Sequence, residues 1–475
     1  MSDSSLIKLT ATEAVNLLAR KEVSPRDLLQ ASIDRINEVD PLVNAMPIKC
    51  FERAFEALST FEQNGDTRHP GWLGGLPISV KDLEPVADVP FTYGGSGIYK
   101  DHVARQSSSN VVNLEHRGAV VVGKSNSPEW GFNASTINEL FGPTRNPYDL
   151  KLTVGGSSGG AAASVATGEV WAATGSDLGS SIRLPAAFCG VVGLRPTPGR
   201  IPHVPTGMPF NSLPVLGPIA RTVEDVALFF ESMAAFDWRD PLSFPSTPGS
   251  FVDNLDRFDA NTTFGWSPDL NVTPVSPAVL KVANAAIAKL ASSGIRVDDA
   301  NIDCSMGRDV FHAIRGVGHL ANMTPLVEQY GDAVIPEVRE SLERAKRLSI
   351  DQYAWGAKAR GKLLEKFIEY FEGRDILICP AAVMEPFPAE WRRVDELGDH
   401  RFDSYIDWIA ITYTVSLTGF PVLSLPCGLT ERGLPVGLQL IARPKHEAQL
   451  LAVGKRCQEI LGALGKDPVT PVATN

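Results

Sequence analysis

The sequence predicts an α/β fold, and three features of the 475-residue chain carry that expectation. Apolar runs too short for helices, at 76–80 and 119–122, read as buried strands. Helical patterns alternate with such runs, as where Pro277–Ser292 falls between strand-like segments at 262–266 and 295–299. Hydrophobic residues make up 44 % of the chain and charged residues 21 %, which suits a large core under a polar, helical exterior.

Taken in order, residues 10–40 read as two amphipathic helices. Ser24-Pro25 supplies an N-cap and a first-turn proline, and Leu28, Leu29, Ile33 and Ile36 share one face. A polar loop is expected at 62–72, then a strand ending at Lys81, then a Gly/Ser-rich loop at 85–109. A helix over 111–117 closes at Gly118 and feeds a strand to Gly123. Residues 159–167 are small enough for a tightly packed helix, and 169–174 resemble a short buried strand. Thr222 and Asp225 form a capping-box-like start for a helix over 223–234. The Pro/Asp/Ser-rich stretch 237–250 reads as a linker, and 306–374 is strongly helical. Runs at 376–379, 422–425 and 436–441 complete the core strands.

Three glycine-rich pieces carry the chemistry. The first is Gly74-Gly75-Leu76-Pro77-Ile78-Ser79-Val80-Lys81-Asp82, where a lysine ends an apolar run. The second is Gly155-Gly156-Ser157-Ser158-Gly159-Gly160, and the third Gly179-Ser180-Ser181. Glycine lets a substrate approach the main chain closely, so a serine in such a turn can be presented beside free N–H groups. A lysine removes a proton only when neutral, and apolar burial lowers its pKa.

These pieces, in this order and with Ser181 placed 24 residues after Ser157, resemble the amidase signature family. The resemblance runs over nearly the whole chain. It implies Lys81 as base, Ser157 as a serine behind a cis peptide that relays the proton, and Ser181 as nucleophile. It places an oxyanion hole in the N–H groups of Leu178, Gly179, Ser180 and Ser181. It implies a mixed, mostly parallel sheet with helices on both faces. It also implies one domain over 1–475, with a signature region at 70–235 and a variable, helix-rich cap at about 237–375. The family commonly has glycine where Ser180 stands, so a positive φ there would strain this chain.

Two motifs point elsewhere. Gly155-Gly156-Ser157-Ser158-Gly159 also fits the G-x-S-x-G elbow of α/β-hydrolases, which needs a histidine partner. Residues 118–125 fit the phosphate-loop pattern literally, but Ala119-Val120-Val121-Val122 between the glycines is strand-like, not a flexible cradle.

A net charge of −11 argues against nonspecific nucleic-acid binding. The six cysteines show no C-x-x-C pair and no metal-ligand spacing, so buried free thiols are expected, with no metal and no cofactor. The N-terminus shows no basic segment and no apolar h-region, and no apolar run reaches a membrane span, so a cytoplasmic chain with no membrane partner is expected. A homodimer is left open.

For substrate, the family resemblance assigns 125–149 to the cleft, with Glu129, Trp130 and Phe132 as contacts. Trp408, Tyr413, Phe210, Tyr353 and Trp355 are further candidate walls. The family's tRNA-amidating branch binds glutamine through an acidic residue, and aligning on Leu417-Thr418-Gly419-Phe420-Pro421 puts Ile409 there. An apolar residue suits a glutamine ammonium poorly. The expectation is therefore a free-standing hydrolase of small apolar or aryl amides. Carbamates and aryl esters are alternatives at the same site, and the glutamine amidase component of a tRNA amidotransferase complex is the rival.

Overall fold

Eleven strands join into one sheet in the computed structural model, which describes residues 3–64, 70–462 and 464–472. The strands are β1 (Ile48–Lys49), β2 (Pro77–Lys81), β3 (Val120–Ser125), β4 (Ala172–Asp177), β5 (Val192–Arg195) and β6 (Val215–Ala220). They continue with β7 (Thr263–Trp266), β8 (Arg296–Asp299), β9 (Ile376–Pro380), β10 (Val422–Leu429) and β11 (Pro435–Ile441). Their order across the sheet is β1-β3-β2-β4-β6-β5-β10-β11-β9-β7-β8.

The sheet is mixed, as expected, but the predominance of parallel pairing does not hold. Parallel pairs are confined to β3-β2-β4 on one flank and β9-β7-β8 on the other. From β4 across to β9 every neighbour is antiparallel. The β10–β11 connection shows why. Its turn closes with Gly433 N–H donating to the Thr430 carbonyl and Thr430 N–H to the Leu434 carbonyl, and so short a link joins only antiparallel strands.

Helices cover both faces. Along β3, Val120 and Val122 enter one apolar cluster with Leu29, Ile33 and Ile36 of helix Pro25–Val43. Val121 faces the opposite cluster, with Val15, Val226, Phe230 and Leu450. Burial on both sides is why the strand opens as a run of three valines without polar alternation. A third cluster gathers Phe311, Leu363, Phe367, Trp408 and Tyr413 around Leu377 and Ile441.

Helix starts follow their capping chemistry. Ser24 Oγ accepts from the Asp27 N–H at 3.2 Å, and Asp27 Oδ2 accepts from the Ser24 N–H at 2.9 Å. Thr222 caps helix Val223–Met233 through the Asp225 N–H, but the Asp225 carboxylate does not return the bond. It accepts instead from the Thr12 N–H and hydroxyl, tying on the N-terminal segment. The expected strand at 169–174 is shifted: β4 starts at Ala172 and runs to Asp177. The 306–374 region forms helices Gly307–Tyr330, Pro336–Arg347 and Ile350–Phe371. Of the anticipated 62–72 loop, residues 62–64 end helix Phe51–Asn64, and 65–69 lie outside the described residues. All six cysteines are free. No helix among the described residues is long and apolar enough to cross a membrane.

Candidate active site

Lys81 ends β2, and the adjacent parallel β4 carries Ser176 and Asp177 at its own carboxyl end. Carboxyl ends of parallel strands are where α/β sheets gather ligand-binding groups. Ser157 and Ser158 come to the same point from the turn before helix Gly159–Ala166. That helix packs tightly against the sheet. A Cβ on Gly160 would fall 2.3 Å from the Asn126 nitrogen, so only glycine fits there. The Gly156–Ser157 peptide is cis.

Lys81 is fully buried, with its Nζ 2.7 Å from Ser157 Oγ, 2.8 Å from Ser158 Oγ and 3.0 Å from Ser176 Oγ. Burial pushes the Lys81 ammonium down to about 7, although the negative charges of Asp177 and Glu84 oppose the shift. The three hydroxyls are not equivalent. Ser158 donates its proton to the Ser176 carbonyl at 3.2 Å, so it accepts from the lysine. A neutral amine has one lone pair, which leaves Ser157 or Ser176 to donate to it.

The Ser181 loop joins β4 to helix Arg183–Cys189. Ser181 is only partly buried, and its carbonyl accepts from the Ser158 N–H at 3.0 Å, which ties the two serine motifs together. A buried ion cluster shapes the loop from beneath. Arg183 donates to Asp177 through Nε (3.0 Å) and Nη2 (2.9 Å), and Nη2 also donates to the Gly179 carbonyl at 2.8 Å. Arg195 donates to both the carbonyl and the carboxylate of Asp177. Burial alone would raise the Asp177 carboxyl; Arg183 and Arg195 reverse that and hold it at about 2. The N–H groups of Leu178, Gly179, Ser180 and Ser181 donate to no protein acceptor among the described residues. Ser180 is not in the left-handed region, so its replacement of glycine brings no backbone strain. Its buried hydroxyl has no partner among the described residues.

The 129–132 segment also reaches the cluster. Gly131 has φ 73°, and a Cβ there would stand 3.3 Å from Ser157 Oγ. Trp130 is half-buried, and Phe132 packs on His319 with ring centroids 4.8 Å apart. Glu129 is buried, and its carboxylate accepts from the Glu139 N–H (2.9 Å) and from Arg392 (3.3 Å). Trp408 and Ile409 lie buried in the apolar cluster that Leu178 joins. In that cluster Phe311 and Tyr413 stack at 4.0 Å, close enough that a Cβ on Gly179 would meet both. Asp407, two residues before Ile409, accepts at Oδ1 from His312 Nε2 at 2.7 Å. Phe210 and Trp355 are exposed, and Tyr353 turns its hydroxyl to the Ala345 carbonyl, so these three stand apart from the serine cluster.

The competing motifs resolve physically. The side chain bonded to Ser157 is Lys81, not a histidine. Lys124 of the phosphate-loop pattern is buried on β3 and paired with Asp82 at 2.9 Å. Sequence reasoning missed Ser158 and Ser176 as lysine partners. Adjacency to Ser157 was the one available signal for Ser158; nothing marked Ser176.

The amidase family profile matches residues 27–451. An acylamidase of Rhodococcus erythropolis is 32% identical, over 98% of this chain and 98% of that one. The A-type component of the glutamyl-tRNA(Gln) amidotransferase of Moorella thermoacetica is 33% identical, over 94% of this chain and 95% of that one. The structure is also similar to that of a bacterial aryl acylamidase of the amidase signature family. The TM-score is 0.91 at 27% identity, covering 99% of this chain and 100% of the other. The chain belongs to the amidase signature family and is a hydrolase of non-peptide carbon–nitrogen bonds.

Proposed function

We propose that the chain is a free-standing amidase cleaving small apolar or aryl amides through an acyl-enzyme on Ser181. The observation that carries this reading is the buried Lys81 amine, 2.7 Å from Ser157 Oγ and brought by burial to about 7. A lysine so tuned is substantially neutral near pH 7 and acts as a base.

Ser181 Oγ bonds to the carbonyl carbon while its proton passes to Ser157, whose own proton passes to Lys81 Nζ. The carbonyl π pair moves onto oxygen, facing the N–H groups of residues 178–181. Such donors contribute about 10²–10³-fold each where they have been removed singly. Collapse breaks the C–N bond, and the proton returns through Ser157 to the leaving nitrogen. Water then repeats the sequence on the ester. A carbamate or aryl ester presents the same carbonyl to the same groups, so both fall within the proposal.

The apolar Phe311–Tyr413 stack, Trp408 and Ile409 beside the serine loop favour an apolar or aryl group. The rival, a glutamine amidase working within an amidotransferase complex, has support in the similarity to the Moorella thermoacetica protein. The aligned position itself carries no carboxylate, since Ile409 is apolar; nearby Asp407 is held by His312 through Oδ1, while its buried Oδ2 has no hydrogen-bond partner among the described residues. The test is a hydrolysis panel on the purified chain and on Ser181→Ala. Benzamide, nitroacetanilide, a small aryl carbamate and glutamine are compared. Aryl turnover without glutamine turnover, lost in the variant, is expected. Activity on glutamine alone, or only with added partner proteins, would overturn the free-standing reading.

A further inference from the structure

The wall of the serine site is fastened from outside. Residues 129–131 form a single turn whose centre, Trp130, sits at φ 51° and ψ 15°. That is the left-handed region, disfavoured for a bulky aromatic side chain. Such a conformation persists where the surroundings over-determine it, and often at functional sites. Here the ties are explicit. Trp130 N–H donates to the Tyr93 carbonyl at 2.7 Å, and Glu129 Oε1 accepts from the Glu139 N–H at 2.9 Å.

The third tie comes from a distant part of the chain. Arg392 Nη2 reaches Glu129 Oε2 at 3.3 Å, while its Nε donates to Glu337 Oε1 at 2.7 Å. Asn133 closes the loop, donating through Nδ2 to the Arg392 carbonyl at 2.6 Å and to Glu337 Oε1 at 3.3 Å. Glu129 and Glu337 are buried, whereas Arg392 is about one-third exposed. Two buried carboxylates are thus joined by one guanidinium, whose planar fork serves both at once. Glu337 belongs to helix Pro336–Arg347, and Val334 and Val338 beside it pack against Phe132.

We infer that Arg392 is a positioning residue: with Glu337 it latches helix Pro336–Arg347 onto the 129–133 segment and so holds Gly131 against Ser157. The inference rests on the proposed role of Ser157 as proton relay. Without the latch the Trp130 turn relaxes, Gly131 withdraws from Ser157 Oγ, and water reaches the Ser157–Lys81 pair.

The test is steady-state kinetics on nitroacetanilide, or on whichever aryl substrate the wild-type enzyme turns over, across pH, with thermal melts alongside. Arg392→Gln is expected to lower kcat by about tenfold or more with a smaller change in KM, since the loss is of alignment and not of binding. The acid limb of the pH profile should move upward from about 7, because wetting Lys81 weakens the burial that lowers it, with Asp177 and Glu84 still favouring its charge. Glu337→Gln should reproduce both effects, and the double variant should lose no more than either single one, since both act through one link. Arg392→Lys should recover part of the rate, an ammonium reaching one carboxylate but not forking to two. If Arg392→Gln does not fold, Glu337→Gln carries the same test. Wild-type kcat and an unmoved acid limb in both folded variants would overturn the latch, as would losses that simply add. Failure of the catalytic reading shows separately, as turnover surviving in Ser181→Ala.

Discussion

Among the described residues Lys81 has no carboxylate within hydrogen-bonding reach; its nitrogen is surrounded by three serine hydroxyls, and the acidic groups acting on it, Asp177 and Glu84, do so at longer range. The sign of the pH dependence follows. Below about 7 the amine is protonated and cannot accept the Ser157 proton, so kcat/KM should rise with pH through about 7 and level above it. A pH–rate profile checks this, and a flat profile from pH 5 to 9 would contradict it. Linkage gives a second sign. An unfolded lysine titrates near about 10.4, so between about 7 and that value the unfolded chain holds the extra proton, and raising pH through the window stabilises the fold. Lys81→Ala should cost about 10²–10⁴ in rate, the usual range for a general base. The approach of Lys81 to Ser157 was legible because motif order and spacing encode it. Ser176 was not, because its approach to Lys81 depends on how β2 pairs with β4, and no linear spacing records that.

The Ser181 loop is a strand-to-helix connection clamped by the Asp177–Arg183–Arg195 cluster, all three fully buried. Buried ion groups resist removal of one partner far more than replacement of the whole set, because the survivors stay desolvated. Asp177→Asn leaves two buried guanidiniums short of their counter-charge. It should destabilise the chain by about 3–5 kcal/mol in urea denaturation and lower the rate with the loop. A change under about 1 kcal/mol would show that the cluster is solvated or replaceable. Strand prediction succeeded where valine runs mark burial on both faces, as in β3. Two helices went unanticipated where the local signal is weak. Helix Arg183–Cys189 is short and carries Pro185, which reads as a breaker although a first-turn proline loses no hydrogen bond. Helix Glu447–Leu461 has His446 at its N-cap with no side-chain capping bond, so it lacks the usual start signal.

Across the whole molecule, the parallel strands β2 and β4 bring Lys81 and the Ser181 loop together. The antiparallel centre of the sheet carries Gln439, which accepts from Arg183 behind that loop. The α/β class was legible from alternation, whereas strand direction was not, because pairing polarity at the centre is set by connections such as the β10–β11 turn. The 306–374 region supplies Phe311 beside Gly179, and Val334 and Val338 beside Phe132, so it packs against both the Ser181 loop and the 129–132 segment. The proposed preference for apolar and aryl groups belongs to this scale, since the walls invoked for it come from segments far apart in sequence.

The central claim is an acyl-enzyme on Ser181. The direct measurement is intact-protein and peptide mass spectrometry after rapid quenching with a nitrophenyl ester or aryl carbamate. The account predicts one acyl group per chain, mapped to the peptide containing Ser181, absent in Ser181→Ala and slow to form in Lys81→Ala. An adduct on Ser157, or full turnover with no adduct in Ser181→Ala, would contradict it.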